Sequence, residues 1–83
     1  MAEKKIKLEV ITPYEVVYSK DVVSIIAPGS EGYLGVLFNH APLITSLKQG
    51  KLKIRELDQS EHEIDIKDGF MEVLDNKVDI LVD

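Results

Sequence analysis

Cysteine is absent from the 83 residues. That removes a disulfide framework, a thiolate nucleophile and any zinc–thiolate site together, and a reducing compartment fits such a chain best. Tryptophan is absent too, and the aromatics stop at three tyrosines and two phenylalanines. So few rings do not line the aromatic concavity on which a small molecule or glycan would settle. Positive charge is in deficit: fifteen acids oppose ten bases, for a net charge of −5 and a pI near 4.9. The bases are interleaved with acids, so no basic face is available for phosphate and no nucleic-acid partner is expected. No apolar run reaches the roughly 18–20 residues of a spanning helix, and no signal-peptide core follows Met1-Ala2-Glu3-Lys4-Lys5. The expectation is a soluble chain whose link to any membrane runs through a partner.

Helical periodicity is missing as well; what is present is a period of two. From Lys5 to Ile11, Ile6, Leu8 and Val10 point one way and Lys5, Lys7 and Glu9 the other, a half-buried strand stopped by Thr12-Pro13-Tyr14. Glu15 to Ser19 reads as a short strand and Asp21 to Ala27 as a second. Adjacent apolar residues in both imply two-sided burial or a bulge. Leu43 to Leu47 reads as a further strand. Phe70 to Leu74 follows the Asp68-Gly69 turn, and Val78, Ile80 and Val82 alternate after Asp75-Asn76-Lys77. With 45% apolar residues, one small domain over residues 1–83 is expected. Its class is all-β, a flattened antiparallel sandwich or barrel of short strands.

One hairpin has a register that charge alone proposes. Across Asp58-Gln59-Ser60, a three-residue loop pairs Arg55 with Glu63, Lys53 with Asp65, Ile54 with Ile64 and Leu52 with Ile66. Opposite charges meet on the wet side and apolar pairs on the dry side, each worth roughly 0.2–1 kcal/mol. His62 falls opposite Glu56 in this register. The charges read as a solvated sheet face, and Glu61-His62-Glu63 lacks the second histidine of a zinc-protease spacing.

Special backbone chemistry is concentrated between Pro28 and Leu43, which hold three of the five glycines, two of the three prolines and one of the two histidines. Glycines at 29, 32 and 35 resemble a phosphate loop only superficially, since no helix signal, phosphate lysine or Rossmann spacing accompanies them. Gly29 and Gly32 are expected to supply positive φ in turns, and Gly35 a close approach within a strand. His40 has no serine or threonine elbow beside it and only Glu31 as a nearby acid, so no general base is assembled. It is expected to fix the turn before Pro42. No catalytic residue, metal ligand or cofactor site is assigned.

The pattern Gly29-Ser30-Glu31-Gly32-x-Leu34-Gly35-Val36, then His40-Ala41-Pro42-Leu43 and Leu47-Lys48-x-Gly50, strongly resembles the epsilon subunit of bacterial and chloroplast F-type ATP synthases (delta in mitochondria). Gly69-Phe70-Met71-Glu72-Val73 and Val78-x-Ile80-Leu81-Val82-Asp83 match later signatures of the same N-terminal domain, so the resemblance spans the chain.

The resemblance implies a flattened β-sandwich at the foot of the central stalk, docked on the gamma subunit and on the polar loops of the c-ring. It implies a non-catalytic rotor role coupling proton flow to ATP synthesis, at the cytoplasmic face of the bacterial plasma membrane. Ser30, Glu31, Gly32 and Tyr33 then form the ring-facing turn, and Phe38, Asn39, His40, Ala41 and Pro42 belong to the ring- and gamma-facing end. Tyr33 replaces the family's acidic or small polar residue, and an exposed Phe38 would add an apolar contact. Phe38-Asn39 replaces the usual Pro-Gly, so Asn39 is expected at positive φ. The family's C-terminal helical hairpin does not follow Asp83, as in a naturally short or a truncated member. Neither inhibition nor nucleotide binding through that hairpin is expected. The alternative reading is a free-standing sandwich that binds a small ligand.

Overall fold

A computed structural model describes residues 4–83; the reading of Met1-Ala2-Glu3 lies outside them. Eight strands are formed and, among the described residues, no helix: β1 Ile6–Ile11, β2 Val16–Gly29, β3 Gly32–Val36, β4 Leu43–Leu47, β5 Gly50–Glu56, β6 Glu61–Ile66, β7 Gly69–Leu74 and β8 Lys77–Val82. The expected all-β sandwich is found.

β1 pairs with the first half of β2 on one edge and with β8 on the other; β8 pairs with β7, β7 with β4, and β4 returns to β2 at Gly29–Leu47. This ring is closed, and the β5–β6 hairpin and β3 extend from the second half of β2. Every pairing is antiparallel except β1–β8, which is parallel. The interior is filled by Leu8, Val10, Val22, Ile25, Leu52, Ile54, Met71, Val73, Val78 and Ile80, and among the described residues no charged side chain is buried with them. Burial of such side chains, each worth roughly 1.5–3 kcal/mol, is what holds so small a chain together.

Two sequence expectations need correction. Glu15–Ser19 and Asp21–Ala27 are not separate strands but one 14-residue strand. Lys20-Asp21 looks like a break because both residues are polar. In the fold they stay in the ladder and pair outward, Lys20 with Glu56 at 3.4 Å and Asp21 with Lys5 at 3.5 Å. Bulges opposite Ile11 and at Val22–Ser24 let one strand serve different partners along its length, and these account for the adjacent apolar residues.

The β5–β6 register is also displaced by two residues. Lys51 faces Asp65, Lys53 faces Glu63, Arg55 faces Glu61, Leu52 faces Ile64 and Ile54 faces His62. The loop is Leu57-Asp58-Gln59: Gln59 N–H donates to the Glu56 carbonyl at 2.9 Å, Gln59 takes φ 73°, and Glu56 N–H meets the Ser60 carbonyl at 2.9 Å. That is a type I turn closed by a left-handed residue. Asp58 locks it by accepting from Ser60 N–H at 2.9 Å and Ser60 Oγ at 2.6 Å. A two-residue shift preserves which face each side chain takes. It also avoids a flaw in the expected register, which would have set Lys51 against Lys67, a like-charge pair.

Candidate functional site

The strand registers define two ends of the closed ring. At the first end lie the C-termini of β1, β4 and β8 and the start of β7. At the second lie the starts of β1, β4 and β8 and the end of β7. β4, with five residues, runs between them, a span of roughly 13 Å.

The turn Ser30-Glu31 belongs to the first end. Ser30 N–H donates to the Ser46 carbonyl at 3.1 Å, and Lys48 N–H to the Pro28 carbonyl at 2.9 Å. Gly32 carries φ 133°, a conformation that excludes side-chain residues. Gly29 and Gly35 both depart from the roles expected of them: Gly29 has no positive φ, and Gly35 is not a close approach. A Cβ on Gly29 would stand 2.6 Å from Leu34 Cδ2 and 2.7 Å from the Gly32 carbonyl oxygen, so Gly29 is the close approach, whereas a Cβ on Gly35 would meet nothing within 4 Å. Glu31 projects into solvent.

Tyr33 sits opposite Pro28, and its hydroxyl accepts from Lys51 N–H at 3.3 Å, reaching over β2 to β5. Gly50 makes the room: a Cβ there would lie 2.8 Å from both Tyr33 Oη and Pro28 Cβ. The ring is pinned at its tip yet remains 56% exposed, a large apolar surface whose conformational entropy is already spent.

Phe38, Asn39, His40, Ala41 and Pro42 belong to the second end, so the two parts of the predicted site are not adjacent. His40 N–H donates to the Leu37 carbonyl at 3.1 Å and Asn39 has φ 66°. This is the positive φ required at the third residue of a type II turn, and the expectation for Asn39 holds. Asn39 N–H donates to Asn76 Oδ1 at 2.6 Å and Asn76 Nδ2 donates to Asn39 Oδ1 at 3.2 Å, tying the loop to the β7–β8 turn. Asp75 and Asn76 both take positive φ (50° and 62°), as a two-residue type I′ hairpin demands. His40 Nδ1 lies 2.7 Å from the Ala41 carbonyl, which employs the ring in shaping the turn before Pro42. Phe38 is half-buried rather than exposed, lining a hollow with Lys4, Val23 and Leu37. Leu37, next to it in the same loop, is the more exposed, at 63%.

A groove of about 800 Å³ opens at the first end between Ile11, Pro13, Leu47, Phe70, Leu81 and Asp83. Phe70 is its one aromatic ring, so the aromatic concavity a ligand-binding module would present is not formed there. At its rim Asp68 has its carboxyl pushed up by a hydrogen bond to, and the charge of, Asp83. Among the described residues, no three His, Asp or Glu side chains converge as a metal site would require.

Comparison with known proteins bears on all of this. The model of the ATP synthase Delta/Epsilon chain beta-sandwich domain matches residues 5–83. The chain belongs to this family. It is 49% identical to the ATP synthase epsilon chain of Pelotomaculum thermopropionicum over 98% of its own length and 60% of that protein's. It is 39% identical to the epsilon chain of Chlorobium limicola, spanning 93% of that relative. The chain therefore spans about 60% of the length of the first relative and nearly all of the second. Among solved structures it resembles a chain of the Euglena gracilis mitochondrial ATP synthase OSCP/F1/c-ring assembly, with a TM-score of 0.90 and 27% identity over 96% of this chain and 51% of that one. It also resembles a chain of the Tetrahymena thermophila mitochondrial ATP synthase central stalk/c-ring, with a TM-score of 0.77, 25% identity and coverage of 99% and 66%.

One polar cluster of this delta/epsilon sandwich escaped the sequence reading. Tyr18 is 8% exposed. Its hydroxyl donates to Glu56 Oε2 at 2.6 Å, and its ring stacks on His62 at 5.3 Å. Burial, then the hydrogen bond to and charge of Glu56, hold the phenol far above its ordinary pKa. The Tyr18 hydrogen bond, aided by Lys20, holds the Glu56 carboxyl below the usual carboxylate range. The cluster joins residues 38 positions apart, and no local pattern announces it.

The sign of its pH dependence follows. The folded chain keeps the Tyr18 proton where the unfolded chain loses it, so this stabilisation is full below about pH 10 and is lost as pH rises through the raised pKa. The Glu56 contribution runs the other way, full above the ordinary carboxylate pKa and lost as pH falls through the depressed one. Tyr18→Phe is expected to lower stability by about 1 kcal/mol near neutrality and to flatten the alkaline limb. Urea midpoints measured against pH check this; parallel curves for the two proteins would refute it.

Proposed function

We infer that this sandwich is a non-catalytic part of the rotor of an F-type ATP synthase, joining the gamma subunit to the c-ring so that the two turn together and proton flow is coupled to ATP synthesis. The observation that carries the reading is the family match over residues 5–83, with a backbone superimposing at TM-score 0.90 on a chain of an ATP synthase whose assembly includes the c-ring. The geometry is compatible with docking. Two short segments, Ser30–Tyr33 and Phe38–Pro42, are each fixed by turn chemistry and hydrogen bonds at opposite ends of the ring, as a body held between two partners would need. In this reading Glu31 and the pinned Tyr33 contact the c-ring, and the Asn39–His40 turn, at the opposite end, contacts gamma. The chain then works at the cytoplasmic face of a bacterial plasma membrane and is held there by the complex.

Affinity capture from detergent-solubilised membranes tests this. The unaltered chain is expected to recover gamma and c-ring, and a Glu31→Ala, Tyr33→Ala double variant is expected to recover at least about tenfold less, as loss of an interface anchor would cause. Recovery of neither partner by the unaltered chain, under conditions that keep the synthase intact, would refute the proposal.

A further inference from the structure

We propose that β3 is an open pairing edge and that, in the free chain, a second copy occupies it through an antiparallel β3–β3 contact about a two-fold axis at Gly35. Among the described residues two strands pair with a single neighbour each, and they differ in kind. β6 pairs only with β5 and presents Glu61, Glu63 and Asp65, the charges by which sheets discourage edge-to-edge contact. β3 pairs only with β2, and from Gly32 to Phe38 there is no charged residue and no proline. Such an edge offers unpaired backbone donors and acceptors to any extended strand.

The outer face of β3 makes the edge self-complementary. Tyr33 and Gly35 of β3 share that face by alternation, with the exposed Leu37 directly after the strand, and Gly35 lies opposite Ile26 of β2. Since nothing lies within 4 Å of a Cβ placed on Gly35, the missing side chain leaves an open notch beside Ile26. Tyr33, Ile26 and Leu37 around it are 56%, 43% and 63% exposed. An antiparallel partner copy centred on Gly35 pairs Tyr33 with Leu37 twice and Leu34 with Val36 twice. The backbones meet where neither copy has a side chain. Aromatic–aliphatic pairs of this kind are favourable across strands. The flanking residue opposite Glu31 is then Asn39, not a second Glu31, so the net charge of −5 is not concentrated at the contact. The arrangement is isologous, as a two-fold dimer requires.

A pairing this short buries less than the roughly 1,200 Å² of small stable interfaces, so dimerisation is weak, with a Kd on the order of 100 µM. Because β3 joins the two segments assigned to docking, self-pairing and assembly into the synthase exclude each other; this consequence alone rests on that reading.

Sedimentation equilibrium of the isolated chain, from about 10 µM to about 1 mM, tests the proposal without the synthase. The expected result is a monomer–dimer equilibrium. It is weakened at least about tenfold by Gly35→Lys, which sets two like charges against each other on the axis, and likewise by Leu37→Lys, which replaces the apolar partner of Tyr33 with a charge. Ile44→Lys, at a position 71% exposed on β4, a strand that does not pair with β3, leaves it unchanged. A monomer at every concentration would overturn the proposal and leave the edge to a strand of a different protein. A dimer abolished by Ile44→Lys and indifferent to both β3 variants would overturn it in favour of another face. Amide protection of β3 rising with concentration gives an independent readout should either lysine variant fold poorly.

Discussion

Gly69→Ala is expected to cost about 3 kcal/mol or more and to lower the melting temperature by roughly 12–24 °C. Gly69 opens β7, opposite Leu47 of β4 and Val82 of β8. Its φ is unremarkable for an L-residue; the constraint is space. A Cβ would fall on the carbonyl oxygen of Leu81, a backbone atom, with Leu81 C and Val82 Cγ1 at 3.2 and 3.3 Å behind it. A flexible side chain could swing away, but a ladder carbonyl moves only if β7 and β8 separate where the ring closes. Gly35→Ala is the matched control. Its Cβ enters open space, so the change should be neutral or stabilise by about 0.4–1 kcal/mol through the unfolded chain. Thermal and urea unfolding of both variants decide the matter. A Gly69→Ala protein within about 1 kcal/mol of the parent would mean that this corner of the sheet yields easily.

Asn39→Ala is expected to destabilise by roughly 2–3 kcal/mol, from two separable causes. Alanine at φ 66° meets the left-handed penalty of about 1–2 kcal/mol, and loss of the Asn39 amide deprives Asn76 Nδ2 of its acceptor, about 1 kcal/mol more. Asn39→Gly separates them. Glycine accepts the backbone conformation and keeps the N–H bond to Asn76 Oδ1, so it should recover most of the loss and cost about 1 kcal/mol or less. Equal losses for the alanine and glycine variants would show that the Asn39–Asn76 amide pair, and not the backbone, holds the second-end loop.

Much of this protein was legible in local pattern. Period-two alternation picked out the buried Ile6, Leu8 and Val10 of β1 and Val78 and Ile80 of β8, because a strand half covered by a core must alternate. Phe38-Asn39 carried the positive φ of its turn because asparagine tolerates a conformation that few side-chain residues do. The β5–β6 register was missed by two residues because charge pairing is nearly degenerate under a two-residue slip. The turn decides it, through Asp58 accepting from Ser60 and Gln59 entering the left-handed region. The division of β2 into two strands failed for a related reason. Lys20-Asp21 looks like a loop until Glu56 and Lys5 are brought alongside.

The sequence by itself determined the class of fold, the family and, between Pro28 and Leu43, the positive φ of Gly32 and Asn39, since each depends on residues close together along the chain. Only the tertiary structure decided how that segment is used. β3 and β4 carry its two loops to opposite ends of the ring, Gly50 and Lys51 pin Tyr33 over Pro28, and Asn76 secures Asn39. Those placements depend on which strands become neighbours, and that is set by closure of the sheet around one core.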